Sequence, residues 1–180
     1  MDTTKPSLVT SVKMGVILGL LYCVLIYCQN QFFYTNPLQF ASTKLFCYLI
    51  ILAGIFYTGY LSKREMGGYI TFQECLRSML LAIAILELFY LVFSTLYIKF
   101  IDPNFFDKLK AAWEVYFVKN NVPDDKVKES LDKFNEARDI NIWGLIQSYG
   151  FAIIIDAVFA VIFAAILKKQ QTVFENHIEQ

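Results

Sequence analysis

Residues 78–98 read SMLLAIAILELFYLVFSTLYI, an apolar run broken near its middle by one carboxylate, Glu87. At ~1.5 Å rise per helical residue, a run of this length crosses a ~30 Å hydrocarbon core. Its flanks, SKREMGGYITFQECLR (62–77) and KFIDPNFFDKLK (99–110), carry the charges expected where a membrane segment meets water. A later run, WGLIQSYGFAIIIDAVFAVIFAAIL (143–167), has the same character, with Asp156 at its centre.

Two further runs complete the pattern: VTSVKMGVILGLLYCVLIYC (9–28) and KLFCYLIILAGIFYTGYL (44–61). Of the 180 residues 57% are hydrophobic, against ~45–50% apolar in soluble domains. The excess is confined to these four runs and the charges lie between them, so the chain reads as a single membrane domain. The formal net charge is zero, which argues against bulk electrostatic binding of nucleic acid. The first run is too long for a signal peptide, and no small-x-small cleavage site follows Cys28, so it reads as a retained span.

The fold expectation is all-α: a four-transmembrane-helix bundle with an extracytoplasmic helical hairpin between spans three and four. The hairpin is an exported insert of about 102–142. Asp102 is expected to cap its first helix with Pro103 at the first helical position. Phe105, Leu109, Trp113 and Tyr116 recur at helical spacing along that helix. A second helix opens at Asp124 and Asp125 and carries Val127, Leu131 and Phe134. Residues 29–43 read as a loop with a turn at Asn36-Pro37, and Gly67-Gly68 as a turn tolerating positive φ. Gly15 and Gly19 form a G-x-x-x-G pair that lets another helix approach closely.

Orientation follows the lysines and arginines of short loops. Lys5, Lys13, Lys63, Arg64, Arg77, Lys168 and Lys169 fall on one side of a four-span chain, and the 29–43 loop has none. Both termini are therefore expected in the cytoplasm, with a polar leader at 1–8 and a polar tail after Lys169.

An Asp at a span centre costs ~2.5–3.5 kcal/mol of insertion free energy, and each Leu, Ile, Phe or Val returns ~0.3–0.6. Thirteen such residues in span four, from Leu145 to Leu167, outweigh Asp156; span three carries Glu87 in the same way. Ala84, Glu87, Tyr90, Ser94 and Tyr97 lie along one side of span three. Tyr149, Ala152, Asp156, Ala160 and Ala164 lie along one side of span four. Both stripes should face the bundle interior, where the acids can meet. No lysine or arginine lies at that depth, so at least one acid is expected to hold its proton. Glu87 and Asp156 are the candidate proton, ion or packing site: acids inside spans mark ion paths, and a protonated acid also joins helices by hydrogen bonds.

No catalytic, cofactor or metal site is read. Cys23, Cys28, Cys47 and Cys75 include no Cys-x-x-Cys, and the one histidine, His177, is in the tail, whereas zinc needs clustered ligands. Gly67-Gly68 lacks the phosphate-loop pattern.

The order of four spans, Gly67-Gly68-Tyr69-Ile70-Thr71-Phe72 before span three, Asp102-Pro103 after it, Pro123-Asp124-Asp125 in the insert and Ala165-Ile166-Leu167-Lys168-Lys169 at the end resembles an uncharacterised family. That family comprises four-span bacterial inner-membrane proteins of Bacteroidetes type, a domain of unknown function, and the resemblance covers roughly residues 10–169. It implies an inner-membrane location and brings no activity. The expected function is a non-enzymatic structural, accessory or interaction role. The alternative is a small proton- or cation-coupled transport component using Glu87 and Asp156. The expected partners are the lipid bilayer and, through residues 102–142, a second copy or a membrane or periplasmic protein.

Overall fold

The computed structural model describes residues 8–123, 125, 127, 128, 130 and 142–169. The leader (1–7), most of the second insert helix with Leu131 and Phe134, and the tail from 170 with His177 lie outside the described residues. The described chain is all-helical: α1 (Leu8–Phe32), α2 (Pro37–Glu65), α3 (Phe72–Leu96, running on as a π-helical turn Tyr97–Ile101), α4 (Phe105–Lys119) and α5 (Ile142–Leu167).

Helix α5 matches its expected span to within one residue, whereas α1, α2 and α3 outrun theirs, and at the starts of α2 and α3 a local capping signal and not hydropathy sets the end. The expected loop at 29–43 shrinks to four residues. Asn36 is the N-cap of α2, its side chain accepting from the backbone N–H of Leu38 at 3.0 Å and of Gln39 at 3.4 Å, with Pro37 leading the helix. Similarly α3 starts at Phe72, six residues before its apolar run. Thr71 and Glu74 form a reciprocal capping box there that satisfies two otherwise orphaned donors. Before it, Gly67 (φ 71°) and Gly68 (φ 90°) turn the chain, as their sequence predicts.

Contacts at the two ends establish an up-down bundle. At one end Thr10 of α1 bonds Glu65 of α2, and Ile70 before α3 exchanges two backbone hydrogen bonds with Lys169 after α5, at 2.9 and 3.0 Å. At the other end Gln29 of α1 donates to the Phe40 carbonyl of α2, and Gln31 to the Tyr97 hydroxyl. Gly15 and Gly19 seat α1 against α3. A Cβ on Gly15 would stand 2.9 Å from the Ala82 carbonyl oxygen, and one on Gly19 2.8 Å from Phe89 Cβ.

The interior is filled by Leu18, Ile51, Ile55, Met79, Ile83 and Leu86, with Ala160 and Ala164 from α5. The outer faces are as apolar as the core: Val24, Leu49, Leu88 and Ile162 all point outward. Four helices are long and apolar enough to cross a bilayer, and only 22–39% of each apolar window is buried in protein. A surface this greasy in every direction is made for hydrocarbon, and the chain is a multi-pass membrane protein.

The start of the insert corrects the expectation. Asp102 does not cap a helix at Pro103; α4 begins at Phe105, after Asn104. The π-helical turn carries the chain past Leu96, and Pro103 and Asn104 are consumed in reversing it so that Phe105 and Leu109 pack beside Tyr97. Asp102 closes the π-helical turn, and its carboxylate accepts two bonds from Lys108 at 2.9 and 3.0 Å.

Candidate functional site

Glu87 lies about 22 Å of helix rise from the Phe72 end of α3 and about 21 Å from its Ile101 end. It is 4% exposed, and Asp156 of α5 is 2% exposed. The structure brings the two carboxyl groups into hydrogen-bonding contact. A third helix joins them: the Tyr48 hydroxyl of α2 donates to Asp156 Oδ1 at 2.6 Å. The other oxygen, Oδ2, is buried without a donor. Two carboxylates have no proton to share, so their contact becomes a hydrogen bond only when one carries a proton. Asp156 already accepts from Tyr48, and a donated hydrogen bond favours the charged form of a carboxyl, so Glu87 is the acid favoured to hold the proton. Among the described residues no lysine or arginine pairs with either acid.

Phenols surround the pair. Tyr22 of α1 and Tyr90 of α3 stack at 5.1 Å, both within electrostatic reach of Glu87. Tyr149 of α5, one of the stripe residues, donates to the Ala84 carbonyl at 3.0 Å. This bond ties α5 to α3 about one turn from the acids.

The bundle differs on the two sides of this layer. Toward the α4 end it holds a cavity of about 150 Å³, whose lining includes Tyr22, Tyr90, Ser94, Gln29, Lys44 and Cys47. Toward the opposite end the acids rest on a dry layer of Ile51, Ile55, Ile83 and Leu86, each at most 1% exposed. Beyond that layer Ser78 bonds Ser11 at 2.7 Å and also Ser62, and Ser62 and Thr58 donate back to carbonyls within α2.

Sequence reasoning found both acids and their shared face, and missed three things. Tyr48 was one aromatic among many in span two; its heptad position relative to Asp156 is not visible without the helix pairing. Ser11, Ser62 and Ser78 lie near the ends of their runs and carry no signal of their own in the sequence. Lys44 was placed at the start of a span, yet α2 begins seven residues earlier, at Pro37, and Lys44 lines the cavity.

A four-helix membrane bundle with a carboxyl pair buried at mid-depth is the class that this fold and site define. The chain belongs to the family described as "Protein of unknown function (DUF4199)", whose sequence model matches residues 13–169. No curated protein and no solved structure matches it.

Proposed function

We propose that this is a non-enzymatic accessory or scaffold protein of a bacterial inner membrane, with both termini in the cytoplasm and the 102–142 insert outside as its contact surface. The observation that supports the reading is the Tyr48–Asp156–Glu87 cluster, which joins α2, α3 and α5 at mid-depth. In hydrocarbon such bonds hold helices together, so the acids serve as a clasp. The distribution of Lys63, Arg64, Lys168 and Lys169 supports the orientation. On α4, Val115 and Val118 are exposed and offer an apolar contact strip next to the bilayer.

A second reading, a proton-coupled transport component, draws on the donorless Asp156 Oδ2 and the cavity beside the phenols. Proton flux into liposomes carrying the wild type and a Glu87→Gln/Asp156→Asn double variant separates the two. The clasp reading expects no flux above empty liposomes in either; flux in the wild type that the double variant abolishes would replace it with the transport reading.

A further inference from the structure

The dry layer and the cavity lie on opposite sides of the acids, which makes the two approaches to them unequal. We propose that the Glu87–Asp156 pair takes up and releases a proton through the cavity at the α4 end and by no other route. The proposal goes beyond both readings above. Exchange from one side carries no proton across the bilayer, and the clasp needs no exchange and has no preferred side, so each can fail separately.

The steps follow from position. Glu87 faces Asp156, whose Oδ1 accepts from Tyr48 and whose Oδ2 is buried without a donor. The groups facing the pair are Tyr22 from α1, Tyr48 from α2, Tyr90 from α3 and Tyr149 from α5. Tyr149 is committed to the Ala84 carbonyl and Tyr48 to Asp156, which leaves Tyr22 and Tyr90. These two also line the cavity. A phenol that accepts a proton at its oxygen and gives up its own leaves itself unchanged, so either hydroxyl, once joined to Glu87 by hydrogen bonds or cavity water, passes a proton with no net chemistry. Gln29, Lys44 and Ser94 give the cavity polar walls, as an occupied water site requires. In the other direction Leu86, Ile83 and Met79 are fully buried along α3. Their side chains offer neither donor nor acceptor before Ser78, about 13 Å away along the helix, and the Tyr149 hydroxyl on this side is spent on the Ala84 carbonyl.

A membrane-permeant carbodiimide tests this on the full chain in intact cells and in inverted vesicles. Its nitrogen takes the carboxyl proton while the carboxylate oxygen bonds its central carbon, so it modifies a buried carboxyl only when that carboxyl is protonated. Peptide mass spectrometry then reports the adduct on Glu87 or Asp156. The expected result is loss of the adduct when the α4 side is made alkaline, and no change when only the opposite side is. Loss driven from the opposite side, equal loss from both, or no adduct at any pH would overturn the proposal. The native thiols give an independent measurement that needs no variant. Cys47 lines the cavity, whereas Cys75 is fully buried at the opposite end. A small impermeant thiol reagent should modify Cys47 from the α4 side and leave Cys75 untouched; a refractory Cys47 or a reactive Cys75 refutes the one-sided route.

Discussion

Replacing Tyr48 by phenylalanine removes one oxygen and leaves the ring, which meets Phe159 edge-on at 6.2 Å. The packing is therefore constant and the change reads the hydrogen bond alone. The Tyr48 hydroxyl donates to Asp156 Oδ1 at 2.6 Å. A bond to a charged group contributes about 1.5–3 kcal/mol. A neutral interhelical bond in a membrane averages about 0.6 kcal/mol. With Asp156 carrying the charge and Glu87 the proton, Tyr48→Phe should cost about 1.5–3 kcal/mol in the wild type and about 0.6 kcal/mol in an Asp156→Asn background. The coupling in the double-mutant cycle is then about 1–2 kcal/mol. Reversible unfolding in mixed detergent-lipid micelles, followed by tryptophan fluorescence, measures all four proteins. A coupling under about 0.5 kcal/mol, within the scatter of independent sites, would refute the assignment of charge to Asp156 and of the proton to Glu87.

Three other perturbations test the packing. Gly15→Leu drives a side chain into the backbone of Ala82, which cannot yield, so α1 must lift off α3 at a cost of about 1–3 kcal/mol or more; Gly15→Ala inserts only the methyl and should cost less, and the same unfolding assay ranks the two. Thr71→Ala removes the capping box of α3 and should cost about 1 kcal/mol, read as faster amide exchange confined to the first turn from Phe72. Ser78→Ala takes a partner from both Ser11 and Ser62, whereas Ser11→Ala takes one from Ser78 alone, so the first should destabilise by about 1 kcal/mol more than the second.

Hydropathy made the four crossings and their interior acids legible before any coordinates. Glu87 and Asp156 were each surrounded by enough apolar residues to insert, and a charge carried into hydrocarbon has to turn inward. Gly15 and Gly19 were readable for a related reason: a membrane helix has few uses for four-spaced glycines other than close approach. Both ends of α5 were legible; the starts of α2 and α3 were not read from hydropathy, because Asn36 and the Thr71–Glu74 pair act through backbone hydrogen bonds that no hydropathy window registers. Asp102-Pro103 misled in the opposite sense. It has the residues of a helix start, but the π-helical extension of α3 and the burial of Phe105 placed that start two residues later. Tyr48 and the serine cluster were beyond reach for a different reason. Each depends on which helices are neighbours, and the order of spans along a chain leaves that open.

The bridge between Ile70 and Lys169 is small, two backbone bonds, but it is placed at the end of the bundle farthest from α4. It fastens the entry to α3 directly to the exit from α5. With that end pinned, the two helices part most easily at the opposite tips, as the arms of tweezers do. The acids sit halfway along the arms and the cavity lies toward the tips, so breathing of this pair favours the α4 side.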